Sequence, residues 1–305
     1  MLAGRLRRVD WDKLKTFHAA AQAGSLTKAA EMLGLSQSAV SRQIAALEDD
    51  LGASLFHRHA RGLIRTEPGN LLFEAAKEIA AKAAIAEARV QDARDEPCGE
   101  LKVTAPMALG AIWLAARLGE FHEQYPQIRI RLMLDDHELD LAGLEAEVGI
   151  RPWPSTQNDL VQRKLLSLHQ HLYASTDYLA RHRAPASAAE LDAHSIIHYG
   201  PPQMAPIPGL DWAAKVGRAE GQPPRPAVVE VNTVHGVMKS IEAGMGIGVL
   251  PDYVARESAK LQRILPELKG PDFDVYFVYP SELRGSRRII AFRDFLIEQA
   301  RRWES

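Results

Sequence analysis

The stretch SLTKAAEMLGLSQSAVSRQIAALE, residues 25–48, decides how the first third of the chain folds. It reads as two short helices around a tight turn. Ser25 is placed to cap the first helix by accepting from a backbone N–H one turn on. Ala29, Ala30 and Leu33 form a small apolar inner face, so that a second helix can cross closely. Gly34 supplies the left-handed conformation that a sharp turn needs, and Leu35 is expected to plug the turn from below. Ser36 caps the second helix, whose Val40, Ile44 and Leu47 recur at helical spacing and face inward. Gln37, Ser38, Ser41 and Arg42 then lie outward. Arg suits guanine, Gln suits adenine, and Ser suits a base or a phosphate. An ordinary amphipathic hairpin with a solvated face is the plainer alternative. The caps, small residues, glycine and outward polar set together favour a helix-turn-helix that lays residues 36–48 in a major groove, with Ser25 and Thr27 near the phosphates.

Residues 51–66, LGASLFHRHARGLIRT, follow. Leu55 and Phe56 read as core closure. Residues 57–65 carry Arg58, Arg61 and Arg65 around Gly62. They read as a two-stranded wing whose basic tip reaches phosphate or the minor groove, with a solvated basic loop as the alternative.

The strings FHAAA (17–21), GSLTKAA (24–30), LSQSAVSRQI (35–44), LE (47–48), LG (51–52), LFHR (55–58) and TEPG (66–69) together resemble the LysR-type transcriptional regulators. Weaker matches are AGMGIGVLP (243–251) and YLA (178–180). Many members have Pro where this chain has Ser38, which leaves base preference at that position open. The chain pattern is most similar to a subgroup linked to redox and cell-envelope gene control. With Cys98 as the single cysteine, an intramolecular disulfide is impossible.

Composition sets bounds. The 305 residues suffice for two or three domains. The 46% hydrophobic and 25% charged content fits a globular protein. No run reads as a membrane span or a secretory h-region, and one cysteine fits a reducing compartment, so the expected location is the cytoplasm. Net charge is −2, yet residues 1–66 carry +4 and the remainder −6, which puts the basic charge on the DNA-binding segment.

Thr66 can cap a helix entered through Pro68. From there to Asp92, Leu72, Ala76, Ile79, Ala83, Ala86 and Val90 repeat at alternating spacings of four and three, a heptad-like seam. Over about 1.5 Å per residue the helix spans roughly 37 Å. The resemblance implies that such helices pair antiparallel in a dimer; packing on the helix's own domain is the alternative.

Beyond a polar hinge at residues 92–99 the pattern alternates strands and helices, an α/β layout. Strands are expected at 101–104, 128–134, 148–150, 172–174, 195–199, 228–231 and 275–279. Helices are expected at 109–124, 139–147, 234–243 and 287–303, and residues 161–168 are expected to cross into a second subdomain. The boundaries read as a winged helix-turn-helix domain (1–67), a linker and dimerisation helix with its hinge (68–98), and a regulatory domain (99–305). In the last, lobe I takes about 99–164 and 267–305, and lobe II about 165–266. The resemblance implies a two-lobed effector domain similar to type 2 periplasmic binding proteins, with a small molecule in the cleft. Open α/β sheets bind ligands at strand carboxyl ends, where helix N-termini face an anion. That places Thr104, Ala105, Pro106, Tyr199, Gly200, Asn232 and Thr233 at the cleft, with Arg151 adding charge. For the two threonines a helix cap is an equal alternative, and for Arg151 a surface salt bridge. Met107 and Leu109 suit the same mouth or the core.

Enzyme readings fare poorly. In GMGIG (244–248) a helix precedes and a strand follows, the reverse of a dinucleotide fingerprint. There is no Walker A, His-Glu-x-x-His or Gly-x-Ser-x-Gly pattern. The acidic run at 135–138 and the His169/His171 pair, expected to share a strand face, read as loop or interface rather than metal sites. No cofactor is expected. The reading is therefore a regulator that binds double-stranded operator DNA as a homodimer or homotetramer. It answers to a small, anionic effector that closes the lobes and alters the angle between the DNA-binding heads. The resemblance adds RNA polymerase as a partner. A solute-binding protein, or a redox-responsive regulator without a small effector, is the alternative.

Overall fold

The computed structural model describes residues 10–59, 62–92, 96–200 and 209–304. The chain divides into two compact units, Met1–Glu87 and Ala88–Ser305.

The first unit is built on α1 (Trp11–Ala23), α2 (Leu26–Leu33) and α3 (Gln37–Leu51), followed by the antiparallel pair β1 (Phe56–His59) and β2 (Gly62–Arg65) and the start of α4 (Glu67–Asp92). Ser25 caps α2 and Ser36 caps α3, each Oγ accepting from the amide three residues on. Gly34 sits at φ 66° and donates its N–H to Ala30 and Glu31 carbonyls. Burying Leu14, Phe17, Ala20, Ala29, Ala30, Val40, Ile44, Leu47, Leu55 and Phe56 together is what the apolar spacing required.

Two details differ from the sequence reading. Leu35 is 40% exposed and does not plug the turn, because Ala29 and Ala30 already fill the underside. In the α4 seam, Ala76 is buried in this unit's own core and Leu72 packs against it with Phe73. The first turns of α4 therefore close the winged domain, while Ile79, Ala86 and Val90 stay exposed and Ala83 half-buried. Thr66 caps this helix, taking the Gly69 N–H at 3.0 Å.

The wing is held from below. Glu48 Oε1 accepts from Leu55 N at 2.7 Å, Phe56 N at 3.3 Å and Ser54 Oγ at 3.3 Å. Leu63 N donates to Gly24 O at 3.0 Å, tying β2 to the α1–α2 turn.

The second unit holds two five-stranded mixed sheets. Its elements are β3 (Gly99–Ala105), a helical run from Leu109 ending in α5 (Leu118–Gln124), β4 (Ile128–Leu134), β5 (Val148–Arg151), β6 (Leu160–Leu168), β7 (Gln170–Ser175), α6 (Thr176–Arg181), β8 (Ile196–Tyr199), β9 (Ala227–Val231), α7 (Val234–Glu242), β10 (Ile247–Pro251), α8 (Asp252–Ala255), β11 (Leu261–Ile264), β12 (Phe273–Pro280) and α9 (Arg287–Glu304). The first sheet runs β4-β3-β5-β12-β6 and the second β11-β7-β10-β8-β9. Phe121, Phe277, Phe292 and Phe295 pack ring on ring beneath α9. The chain passes between sheets twice, after β6 and before β12. The two passages are clipped together: Gly270 N donates to Gln170 O at 3.1 Å, and Gln170 Nε2 to Pro271 O at 2.8 Å.

Residues 139–147 form turns rather than the expected helix. Leu144 adopts φ 55°. Side chains satisfy the backbone instead, Asp140 Oδ1 accepting from Gly143 N and Glu145 Oε2 from Asp140 N, both at 2.9 Å. Leu141 and Ala146 still bury against Val278, which explains the misleading apolar spacing. The helix expected over 109–124 is instead a π-helical turn (Leu109–Leu114), a short 3₁₀ turn (Ala115–Arg117) and α5. Gly110 presses so close to Leu134 that a Cβ would lie 2.1 Å from its Cδ2. The Trp113 carbonyl is also taken by Arg117 Nη1 at 2.6 Å. Residues 161–168 lie within β6 of the first sheet, and the crossing follows Leu168.

Candidate functional site

The outer face of the helix-turn-helix is polar and free of core duties. Thr27, Ser36, Gln37, Ser38 and Arg42 are exposed, and Ser41 and Ser25 half-exposed. Ser36 Oγ and Ser38 Oγ lie 3.0 Å apart at the start of α3. The first-turn amides there project with the positive end of the helix dipole, an arrangement that suits a phosphate. Arg42, one turn further, has no ion-pair partner among the described residues.

The wing's basic residues divide. Arg65 is half-buried, its guanidinium 4.1 Å above the Phe73 ring, so packing on α4 claims part of it. The Arg58 backbone lies in β1, while its side chain and all of Arg61 lie outside the described residues.

A second site lies at the carboxyl ends of strands from both sheets. There a cleft of about 340 Å³ is lined from one lobe by Pro106, Met107, Leu109, Ala111, Ile112, Asp136 and Pro152. Phe273, at the start of β12, joins them from the same lobe, and Thr233, Val234, His235 and Tyr253 complete the cleft from the other. Thr233 caps α7, accepting from Gly236 N at 3.0 Å, so the expected cap and the expected cleft position coincide. Asp136 Oδ1 accepts from Met107 N at 2.9 Å.

Of the sequence-derived residues, Pro106 and Thr233 line this cleft, as do Met107 and Leu109, which the sequence places at the mouth or in the core; Thr104, Ala105, Arg151, Tyr199, Gly200 and Asn232 do not. Thr104 is fully buried, its hydroxyl without a hydrogen-bond partner among the described residues. Ala105 is buried backbone scaffold in β3. Tyr199 is buried and donates its hydroxyl to Asn232 O at 2.7 Å, Gly200 is buried behind it, and Asn232 is exposed. Arg151 corrects the sequence reading most. It is neither surface ion pair nor cleft residue but fully buried, folded back over Gly149, with Nη1 3.4 Å from His137 O. Its Nε and Nη2 have no hydrogen-bond partner among the described residues. Burial pulls the guanidinium below its ordinary value, opposed by Glu138 and Asp135. The expected His169/His171 strand face also dissolves. His169 precedes β7 and meets Asp272, while His171 in β7 meets Asp252.

Asp136, Val234, His235, Tyr253 and Phe273 were missed. Asp136 was visible only as part of an acidic run; nothing local to Tyr253 or Phe273 marks them. Burial raises the Asp136 carboxyl above its usual range, with Asp135 adding to the shift. In turn Asp136 helps raise Tyr199, pushed up to about 12 chiefly by burial, and Tyr253, raised still further.

Known proteins agree with this geometry. Residues 11–70 match the family described as bacterial regulatory helix-turn-helix protein, lysR family, and residues 94–301 match the LysR substrate binding domain. An HTH-type transcriptional regulator of Xanthomonas campestris pv. campestris is 32% identical over 277 residues, 90% of this chain and 80% of its own length. The full-length structure of the Vibrio cholerae virulence activator AphB, a member of the LTTR family, is 26% identical, with 95% of this chain and 99% of that one covered at a TM-score of 0.65. CrgA of Neisseria meningitidis, a LysR-type transcriptional regulator, is 28% identical, with 95% and 98% covered at a TM-score of 0.60. No described helix is long and apolar enough to cross a membrane. A capped reading helix, a wing and a two-lobed domain with a cleft therefore sit in one chain that belongs to the LysR family of DNA-binding transcriptional regulators.

Proposed function

We propose that this regulator reads a specific operator through Gln37, Ser38, Ser41 and Arg42, with Ser25, Thr27, Ser36 and the wing arginines Arg58, Arg61 and Arg65 positioning it on the phosphates. The observation that carries this is the outward, uncommitted polar face of α3 over a fully apolar underside. Two copies join along the part of α4 left after Leu72 and Ala76 are used internally, that is Ile79, Ala83, Ala86 and Val90, giving a homodimer or homotetramer that reads paired half-sites. The protein acts in the cytoplasm, on DNA and RNA polymerase, and not as an enzyme.

A small effector binds in the cleft and favours one relative arrangement of the lobes, as only a ligand with unequal affinity for two states can. The expected anionic character rested on Thr104, Thr233 and Arg151, of which Thr233 alone lines the cleft. Selection of bound duplexes from a random pool, followed by anisotropy titration of full-length protein, tests the DNA reading. An enriched motif that loses preference in Arg42→Ala supports it. Equal binding to all duplexes refutes it.

A further inference from the structure

The cleft carries its own instructions about the ligand. Its wall is apolar apart from Asp136, Thr233 and His235, and two aromatic rings, Tyr253 and Phe273, face it. Among the described residues, no lysine or arginine lines it. On the lobe of Asp136, Arg151 is sealed within the sheet, with Asp135 and Glu138 acting on its charge. Asp252, next to Tyr253, is engaged by His171, Tyr173 and Arg263. The amide of Met107, where an incoming carboxylate would dock, is already taken by Asp136 Oδ1. A carboxylate that shares a cleft with two aromatic side chains offers a cation both its charge and the rings.

We infer that the effector is an apolar molecule bearing a protonated amine, held by the Asp136 carboxylate between Pro106–Ile112 and Phe273 on one lobe and Tyr253 on the other. This rests on the cleft being the effector site. A carboxylate ligand meets a like charge at Asp136 and, among the described lining residues, finds the α7 N-terminus, Thr233 and His235 but no fixed positive charge in its favour. A zwitterion satisfies both ends and still needs the amine.

Calorimetry on the full-length protein decides. The probes share one phenyl ring: 2-phenylethylamine, phenylalanine and 3-phenylpropionate. Wild type is expected to bind the amine at least tenfold more tightly than the carboxylate. Asp136→Asn, which keeps the acceptor for Met107, should lose at least tenfold for the amine and nothing for the carboxylate. Ala111→Trp fills the cleft and should abolish binding. Phenylalanine binding that also falls in Asp136→Asn agrees with the inference. Equal or tighter binding of 3-phenylpropionate, amine binding unchanged in Asp136→Asn, or no binding of any probe at millimolar concentration overturns it. Should Asp136→Asn fail to fold, the amine-to-carboxylate ratio on wild type decides alone. If the carboxylate binds and Ala111→Trp abolishes that, the cleft stands and only the ligand class is wrong. If amine binding survives Ala111→Trp, the cleft reading itself fails.

Discussion

Replacing Glu48 by alanine should unlatch the wing without touching any DNA-facing residue. Its Oε1 receives two backbone amides and a hydroxyl, and Leu55, whose amide is the closest at 2.7 Å, is 1% exposed. A hydrogen bond to a charged group contributes about 1.5–3 kcal/mol, and an abandoned buried amide costs about 1–3 kcal/mol, so non-additive removal amounts to roughly 3 kcal/mol. The affected unit, Met1–Glu87, is under 100 residues. At about 4–8 °C per kcal/mol its melting transition should fall by roughly 12–24 °C. Glu48→Gln, which keeps an acceptor but not the charge, should lose less than half of that. Hydrogen exchange on the full-length protein reads the effect locally, because the chain has two units and one global midpoint is ill-defined. The Leu55 and Phe56 amides should exchange about 100-fold faster in Glu48→Ala, a ratio corresponding to roughly 3 kcal/mol. DNA affinity should fall with the loss of wing contacts. Unchanged exchange at both amides, or equal loss in the glutamine variant, refutes the latch.

Arg42→Ala should cost about 1–3 kcal/mol at the specific site and relax base preference, measured by anisotropy against matched and mismatched duplexes. Ile79→Lys should shift the oligomer toward monomer in sedimentation velocity while the winged core keeps its melting behaviour. Arg151→Met should leave cleft-ligand affinity within about twofold and hold or raise thermal stability, since an apolar replacement of a buried charge is often neutral or favourable; a large loss of ligand affinity would return Arg151 to the site. For Asp136 the folded carboxyl lies above its ordinary value, so its ionised form opposes folding. Its contribution is favourable at low pH and is lost as pH rises through the folded value. Asp136→Asn should therefore match wild type near pH 4 and gain stability relative to it by pH 7, in melting curves across that range.

Local chemistry made the helix-turn-helix legible. Ser25, Gly34 and Ser36 each do in the structure what their short-range preferences require, and the inward row Val40, Ile44 and Leu47 needs no distant partner to be recognised. Errors arose where a distant segment decides. Residues 139–147 carry helical spacing, but Gln157, from beyond the next strand, accepts the Leu141 amide and helps hold the turns. Ala76 fits a heptad, but the winged core was short of one apolar neighbour and took it. In the cleft, strand ends located the site while side-chain direction assigned it. Thr104 and Arg151 lie within a sheet that turns them from the opening, whereas Asp136, just beyond β4, is free to point across. Tyr253 lies between the two chain crossings, in the other lobe, and Phe273 comes back to the first sheet only after the second, so no reading of consecutive residues joins them to Pro106.

The clip between Gln170 and the Gly270–Pro271 passage has a mechanical meaning. Two parallel straps bonded to each other behave as an axle: they permit swinging and resist shear. A molecule that draws the two halves of the regulatory domain together is expected to turn them about that short bar, and a substitution at Gln170, which removes the bond to Pro271 but not the backbone bond from Gly270, is expected to soften the response while leaving the recognition of both ligand and DNA intact.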